Sequence, residues 1–464
     1  MVLALGLLLA SHAAAQAQPA GAESAGTTGP RTRPAAGASA PGAERQAPPE
    51  TPSDWREILP GLTVGSQLRL RGESRRNFKF DDARAGNDEG YLLSRVRLGL
   101  TWRPSDQVTG AVELQDARIH GEEAISETRT PNVFADQLDI HQAYLDVEAP
   151  ASSRVPIAVR VGRQKLVYGS QRLISPLEWV NTARVFDGAR IAIGAGAGRR
   201  LAAFATRLVP VAPRGINDHG LTGSRLFNSQ LHGVYYTDGA LLPGGAVEGY
   251  WLLRREERLD DAVHTVGTRI DARYGPWAFD GELAGQTGSY GGLDHRAAMV
   301  HVGGAFTARL PGRPKFGAAF NLGSGDDDPD DGVHGTFDNL YPLNHVYYGT
   351  MDLFALQNLR NVEASVDAAL PGGASVRVAY QHFALVAPGT DAWYNAAAGI
   401  VHAGGDLGVA ADVGSEIDVT VRARVWHVGL EAGYGFFRGG GYLRELDFRL
   451  SSAHFFYLQT TVGF

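Results

Sequence analysis

The 464-residue chain contains no cysteine, so neither a disulfide framework nor thiolate chemistry is open to it. Methionine is nearly missing, at 3 residues. Beyond the N-terminus no stretch approaches the roughly 18 uninterrupted apolar residues of a membrane-spanning helix. A basic excess is also lacking: the formal net charge is -7, which argues against a nucleic-acid partner. Nucleophile and phosphate-binding signatures are missing too. There is no Gly-x-Ser-x-Gly, no His-Glu-x-x-His and no glycine loop ending in Lys-Ser/Thr. Gly194, Gly196 and Gly198 (IGAGAG) stand between strand-like segments with no helix after them, and read as a hairpin. No catalytic residue, cofactor or dedicated metal site is expected.

What is abundant is glycine, at 59 residues, together with 19 Phe, 16 Tyr and 7 Trp. The chain is 44% hydrophobic and 20% charged. A polar average with dense aromatics fits a chain whose apolar residues alternate with polar ones. The opening MVLALGLLLASHAAAQA is an apolar run followed by small residues, which predicts a secretory signal over residues 1–17. No Lys or Arg precedes that run, which leaves room for a start upstream of Met1. Residues 18–53 are rich in Pro, Ala and Gly, with almost no large apolar side chain, and are expected to be a disordered linker. The folded domain is expected over 54–464.

From Gly61 onward the dominant period is two. In LTVGSQLRLRGESRR, Leu68 and Leu70 share one face, and Arg69, Arg71 and Glu73 share the other. SRVRLGLTW sets Val96, Leu98, Leu100 and Trp102 against Arg95 and Arg97, and PIAVRVG sets Val159 and Val161 against Arg160. A soluble sandwich would show the same alternation. It would not show it about eighteen times, however. Spread over residues 54–464, that is roughly 23 residues per strand and link, the spacing of tilted membrane-spanning strands joined by alternating short and long connections. Trp102, Tyr144, Trp277, Tyr380 and Trp426 fall near strand ends, where a lipid interface favours aromatics. The chain ends on HFFYLQTTVGF, apolar or β-branched at every second residue. Backbone groups in lipid must be paired within the protein, so strands can span only as a closed cylinder. The last strand is then expected to pair with the first, with Phe464 facing lipid. The expected fold is all-β, a transmembrane antiparallel β-barrel of about 18 strands of the bacterial outer-membrane type.

In such a barrel the charged face is the lumen. Guanidinium groups from Arg69, Arg71, Arg95, Arg97, Arg160 and Arg190 would form an electropositive constriction, each able to fork onto a carboxylate with two hydrogen bonds. Rings of Arg or Lys are how pores favour anions. Glu73, Glu113 and Asp187 would hold the arginines. Small residues expected in the lumen (Gly99, Ala158, Gly162, Ala203, Ala205) leave space for a pore. In RVGRQKLVYGSQRLISPLEWVNTARVFDGARI the alternation breaks after Val161 and resumes near Phe186. Arg163, Lys165, Arg172, Arg184 and Arg190 lie there among large apolar residues, which predicts an ordered loop folding back toward the pore mouth. The alternative is a rigid external loop whose arginines pair with Glu178, Asp187 and lipopolysaccharide phosphates. A second polar segment, GDDDPDDGVHGTF, lacks the spacing of a calcium loop. It reads as a solvated loop, with Asp326, Asp328 and Asp330 as the minority candidates for a divalent ion. His345 is read as structural.

These segments resemble the alginate export family of outer-membrane proteins. The resemblance rests on SRVRLGLTWRP with AVELQDARIHG, on HQAYLDV, on VGRQKLVYGSQRLISPLEW with VFDGARI, on GTFDNLYPLNHVYYG with MDLFALQNL, and on GSEIDVTV with GYGFFRGGGYL. It covers nearly all of the chain from Leu62, with the block from Gly162 to Ile191 the most specific. It implies an eighteen-stranded barrel with an arginine-rich pore that exports the polyanion alginate. The residues matching its basic positions are Arg95, Arg97, Arg118, Arg160, Arg163, Arg172, Arg184 and Arg190, with Asp187 as counter-charge. The expected function is therefore passage of anionic saccharides across the outer membrane, most sharply export of an alginate-type polyuronate. The blander version is a general anion-preferring porin for small nutrients. A lipid-directed barrel enzyme is disfavoured, because Ser175 and His454 show no motif. Expected partners are an anionic polysaccharide or small anionic solutes, outer-membrane lipid and lipopolysaccharide, and a periplasmic export partner supplying the scaffold that the linker lacks.

Overall fold

The structure, a computed structural model, describes residues 57–81, 87–121, 133–150, 152–194, 198–211, 229–257, 259–449 and 451–463. The expected signal and linker, residues 1–17 and 18–53, and the terminal Phe464 lie outside the described residues. The main sheet has 20 strands. Two of these, Glu57–Leu59 and Val333–His334, are short additions, which leaves 18 long ones. These are β1 (Leu62–Arg76), β2 (Glu89–Ser105), β3 (Val108–His120), β4 (Asp136–Glu148), β5 (Ile157–Gln164), β6 (Phe186–Gly194), β7 (Arg199–Leu208), β8 (Ser229–Asp238) and β9 (Gly245–Glu256). They continue as β10 (Asp261–Tyr274), β11 (Trp277–Tyr290), β12 (Leu293–Thr307), β13 (Lys315–Gly323), β14 (Leu359–Ala369), β15 (Ser375–Leu385), β16 (Asp412–Val425), β17 (Val428–Gly439) and β18 (Ser452–Gly463).

Each of the 18 pairs antiparallel with its sequence neighbour, and β18 returns to β1 through Gln67↔Gly463 to Arg76↔His454. Closure therefore leaves neither terminal strand with an open edge, which is what hydrocarbon demands of a backbone. Connections alternate in length. The links after the even-numbered strands are short, and long ones follow β1, β3, β5, β7, β13, β15 and β17; the exceptions are the links after β9 (residues 257–260) and β11 (Gly291–Gly292), short although they lie at the other end. Short turns mark the periplasmic end of such barrels and long loops the external end.

Register decides the two faces, because side chains alternate across a strand and paired residues share a side. Leu68 pairs with Val96 and Val462, Leu98 with Leu114, and Val161 with Leu145. These and many other large apolar residues of the 18 long strands are exposed, up to 61% for Val266 on β10. A water-soluble surface does not carry a continuous apolar band of this kind. It is the lipid face. Near its periplasmic edge stand Trp102, Trp277 and Trp426, the last 80% exposed at the β16–β17 turn, and Tyr380 also faces outward. Tyr144 corrects the expectation for that belt. It pairs with Gly162 and lies beneath the Arg160 guanidinium at 3.7 Å, inside the barrel.

One bend needs glycine. Gly162 and Gly188 face each other across β5 and β6 with φ of +125° and +154°. A Cβ at either would collide with a neighbouring backbone carbonyl, Ala143 or Ala205. The strands nevertheless continue past this point to the pair Gln164↔Phe186.

Candidate functional site: a lumen with two arcs of opposite charge

Two of the long connections fold into the barrel rather than away from it. Residues 165–185, between β5 and β6, and residues 324–358, between β13 and β14, zip together. Ser175 N–H donates to the Tyr341 carbonyl (2.8 Å), Tyr341 N–H to Leu173 (3.0 Å) and Leu343 N–H to Gln171 (3.0 Å). Their apolar side chains, Leu166, Leu173, Ile174 and Phe354 among them, bury against inward residues of the wall such as Phe204, Leu231, Phe383 and Phe437. Burial of this many large side chains is what orders the loops. It accounts for the large residues that interrupt the alternation in the sequence.

Arg69 and Arg71 on β1 and Arg95 and Arg97 on β2 all point inward, and the stretch 178–182 lies directly on them. Arg69 donates to the carbonyls of Glu178 (2.8 Å) and Val180 (2.9 Å) and to Asn181 Oδ1 (3.2 Å). Arg71 donates to the Trp179 carbonyl (2.6 Å) and sits 3.9 Å over its ring. On the other side Trp179 stacks on His345 at 3.5 Å, and His345 reaches Asp352 at 3.2 Å. The Glu178 carboxylate takes Arg97 (2.9 Å), Arg95 (3.2 Å) and Lys165 Nζ (2.7 Å). Burial alone would raise the Glu178 carboxyl. The surrounding cations Arg97, Lys165 and Arg95 outweigh it and hold the group well below the usual carboxylate range. The peptide carbonyls of residues 178–180 and this one carboxylate thus occupy the hydrogen-bonding positions of these guanidiniums.

Farther round the same arc, Arg160 on β5 is held by Asp146. It faces Arg190 on β6, and Arg200 on β7 lies on the same inner face. Arg172 and Arg184 belong to the inserted loop itself. Arg172 has a fully buried side chain, paired with Glu282 at 2.8 Å and stacked 4.3 Å from Tyr347. Arg184 donates to the Ser175 carbonyl (3.2 Å) and lies over Tyr341. Burial brings its guanidinium down to about 10. Both clamp the loop in its seat.

Three of the expected lumen residues are corrected by register. Arg118 pairs with Ser94 on the face of Val96 and Leu98, is 52% exposed, and bonds to Asp116. Arg163 and Asp187 pair with each other on the face of Val161 and Ile191, at 2.8 Å. All three are on the outer face near the external rim, because β5 runs on in phase past Gly162, where the sequence pattern breaks. Ala203, opposite Ile191, and Ala205 also face outward, whereas Gly99, Ala158 and Gly162 face inward. Asp326, Asp328 and Asp330 are not gathered around a point. Asp328 accepts the Asp330 N–H (3.3 Å), and the Asp326 N–H donates to Asp391. Among the described residues no group of three metal-ligating side chains converges.

Opposite the basic arc the wall is predominantly acidic, a feature not picked out from the sequence. Glu248 on β9, Asp271 on β10 and Asp280 on β11 surround Arg269, at 3.0, 3.0 and 3.1 Å. Glu363 and Asp367 on β14 hold Arg377. Glu416 and Asp418 on β16 accept the N–H groups of Met351 and Thr350. The same alternation that revealed the arginines carries this signal, as in TRIDARY and FDGEL. A cavity of about 350 Å³ opens between this arc and the inserted loops, bounded by Arg172, Tyr347, Arg269, His301, Glu363 and Arg377.

A closed eighteen-stranded barrel with a lipid-facing apolar band and a charged lumen is an outer-membrane channel, not an enzyme. The chain belongs to the alginate export family, which it matches over residues 61–455. Its fold is that of outer-membrane porins. OpdO of Pseudomonas aeruginosa is 13% identical, with a TM-score of 0.56 over 88% of this chain and 98% of that one. OccK9 (OpdG) of the same organism is 14% identical, with a TM-score of 0.57 over 87% and 98%. OpdK, solved with vanillate, is 11% identical, with a TM-score of 0.55 over 86% and 98%. A search of curated proteins returned no match.

Proposed function

We propose that the channel passes anionic saccharides along the basic arc, in its sharpest form a polyuronate of the alginate type. The observation that carries this reading is the set of inward guanidiniums on two neighbouring strand pairs, Arg69, Arg71, Arg95 and Arg97 on β1 and β2 and Arg160 and Arg190 on β5 and β6, with Lys165 beside Glu178. Carboxylates spaced along a chain of sugar rings would exchange with the peptide carbonyls and with Glu178, moving from one fork to the next. Glu113, 4.0 Å from Arg97 and 3.8 Å from Lys165, supplies the counter-charge that keeps each stop shallow, so that binding does not prevent exit.

A second reading is uptake of small carboxylates. It is favoured by the loops that fill the external half of the lumen and by the vanillate with which OpdK was solved. Planar-bilayer recording distinguishes the two. Oligouronates of increasing length should block current with growing residence time if polymer is the cargo, and monomers should serve as well if it is not. Cation selectivity, or Arg97→Ala and Arg190→Ala variants with unaltered anion preference, would remove both readings.

A further inference from the structure

The outer face carries a girdle of arginines at one end only. Arg76 is the last residue of β1, and Arg207, Arg255 and Arg438 are the penultimate residues of β7, β9 and β17. Arg360 is the second residue of β14, a strand that starts at the external end. Pairing register puts each on the lipid-facing side: Arg76 opposite His454, Arg255 opposite Gln230, Arg360 opposite Leu322 and one step from Val362, Arg438 opposite Ser415 beyond Phe436, and Arg207 between Gln230 and Asp187, whose carboxylate is engaged by Arg163. All five are exposed, and among the described residues they stand outside the ion pairs that engage their outward-facing neighbours Arg118, Arg163 and Arg199. The paired cations Arg118 and Arg163 stand at the same level. At the periplasmic end the corresponding outward positions are aromatic or apolar, and the one arginine, Arg199, is neutralised by Asp238 at 3.0 Å.

An unpaired guanidinium facing hydrocarbon is costly at the midplane and becomes tolerable only at the interface. Five of them spread around the wall on β1, β7, β9, β14 and β17 form a belt at the level of the outer-leaflet headgroups. Guanidinium geometry matches phosphate, which it can grip with two parallel hydrogen bonds. We infer that this belt binds the phosphorylated saccharide headgroup of the outer-leaflet glycolipid, the chemistry of lipopolysaccharide. The barrel is thereby seated in the leaflet from its external side.

The test is native mass spectrometry of the full chain in detergent, titrated separately with bisphosphorylated lipid A, dephosphorylated lipid A and phosphatidylglycerol. The expected result is several lipid A molecules retained per barrel, with much weaker retention of the other two. Variants R207Q/R255Q and R360Q/R438Q should each weaken lipid A binding by about 25-fold, at roughly fivefold per arginine. Equal retention of dephosphorylated lipid A would overturn the phosphate assignment, and equal retention of phosphatidylglycerol would reduce the belt to a general anionic surface. Unchanged lipid A affinity in both variants, with heat-modifiable mobility showing them folded, would overturn the role of these arginines. If a variant fails to fold, the comparison of the three lipids on the natural chain still decides.

Discussion

Replacing Glu178 with Gln removes one negative charge from the centre of the basic arc while keeping side-chain size. In the natural chain that carboxylate meets Arg97 at 2.9 Å, Arg95 at 3.2 Å and Lys165 at 2.7 Å. The variant leaves three cations with only the more distant Glu113. Two effects follow. An ion passing about 5 Å away experiences a unit change in charge worth about 0.8 kcal/mol in water, and about 0.5 kcal/mol after screening at 0.1 M salt. The gain for anions and the loss for cations together raise the anion-to-cation permeability ratio by roughly fivefold. The Glu178 side chain is partly exposed, so loss of its contacts also costs the loop about 1–3 kcal/mol, less than a fully buried pair would, and residues 175–182 should leave their seat part of the time. The assay is the reversal potential under a salt gradient, with open-channel noise recorded in parallel. A shift toward cations, or unchanged selectivity with quiet current, would refute the assignment of Glu178 as counter-ion and anchor. The pH dependence has a definite sign. Because the Glu178 carboxyl lies well below its ordinary value of 4.5, its contribution is present above the usual carboxylate range and is lost only as pH falls through the depressed value. Natural-chain conductance should therefore hold steady down to about pH 4 as far as this group is concerned.

Trp179→Ala removes the Arg71 cation–π contact and the His345 stack, together about 1–3 kcal/mol, and should raise both current noise and proteolysis within residues 165–185. Arg118→Ala, on the outer face, should leave ion selectivity unchanged, while Arg190→Ala lowers anion preference; equal effects in bilayer recording would contradict the register. Gly162→Val places a side chain against the Ala143 carbonyl at a left-handed φ. It should abolish the folded barrel, read as loss of heat-modifiable mobility on electrophoresis.

Much of this architecture was legible from residues such as Leu68, Arg69, Leu70 and Arg71, because a period of two assigns faces without any knowledge of the partner strand. The aromatic, β-branched ending predicted closure, and β18 does pair with β1. The inward arginines of β1, β2, β5 and β6 followed from the same rule. The alternation does not place Arg163 and Asp187 correctly, because the large residues after Gln164 obscure how far β5 extends. A glycine pair at positive φ keeps the strands in phase there, and no local pattern announces that. Arg118 came from family likeness and not from its own alternation, which would have put it beside Leu98 and Leu114 on the outside. The seat of residues 178–182 depends on contacts more than a hundred residues apart, such as Arg69 with Val180. Composition can suggest that such a loop is ordered, but not what it rests upon.

The arrangement of charge around the wall has one more consequence. The guanidiniums of β1, β2, β5 and β6 stand across the lumen from the carboxylates of β9, β10, β11 and β14, so the field between these two sets points across the lumen, perpendicular to the direction of travel. A solute with no net charge is turned by such a field, as a compass needle is, before it is drawn either way. A sugar ring with its carboxylate on one edge and hydroxyls on the other would pass edge-on in a single orientation. The barrel would then select the posture of its cargo as well as its sign.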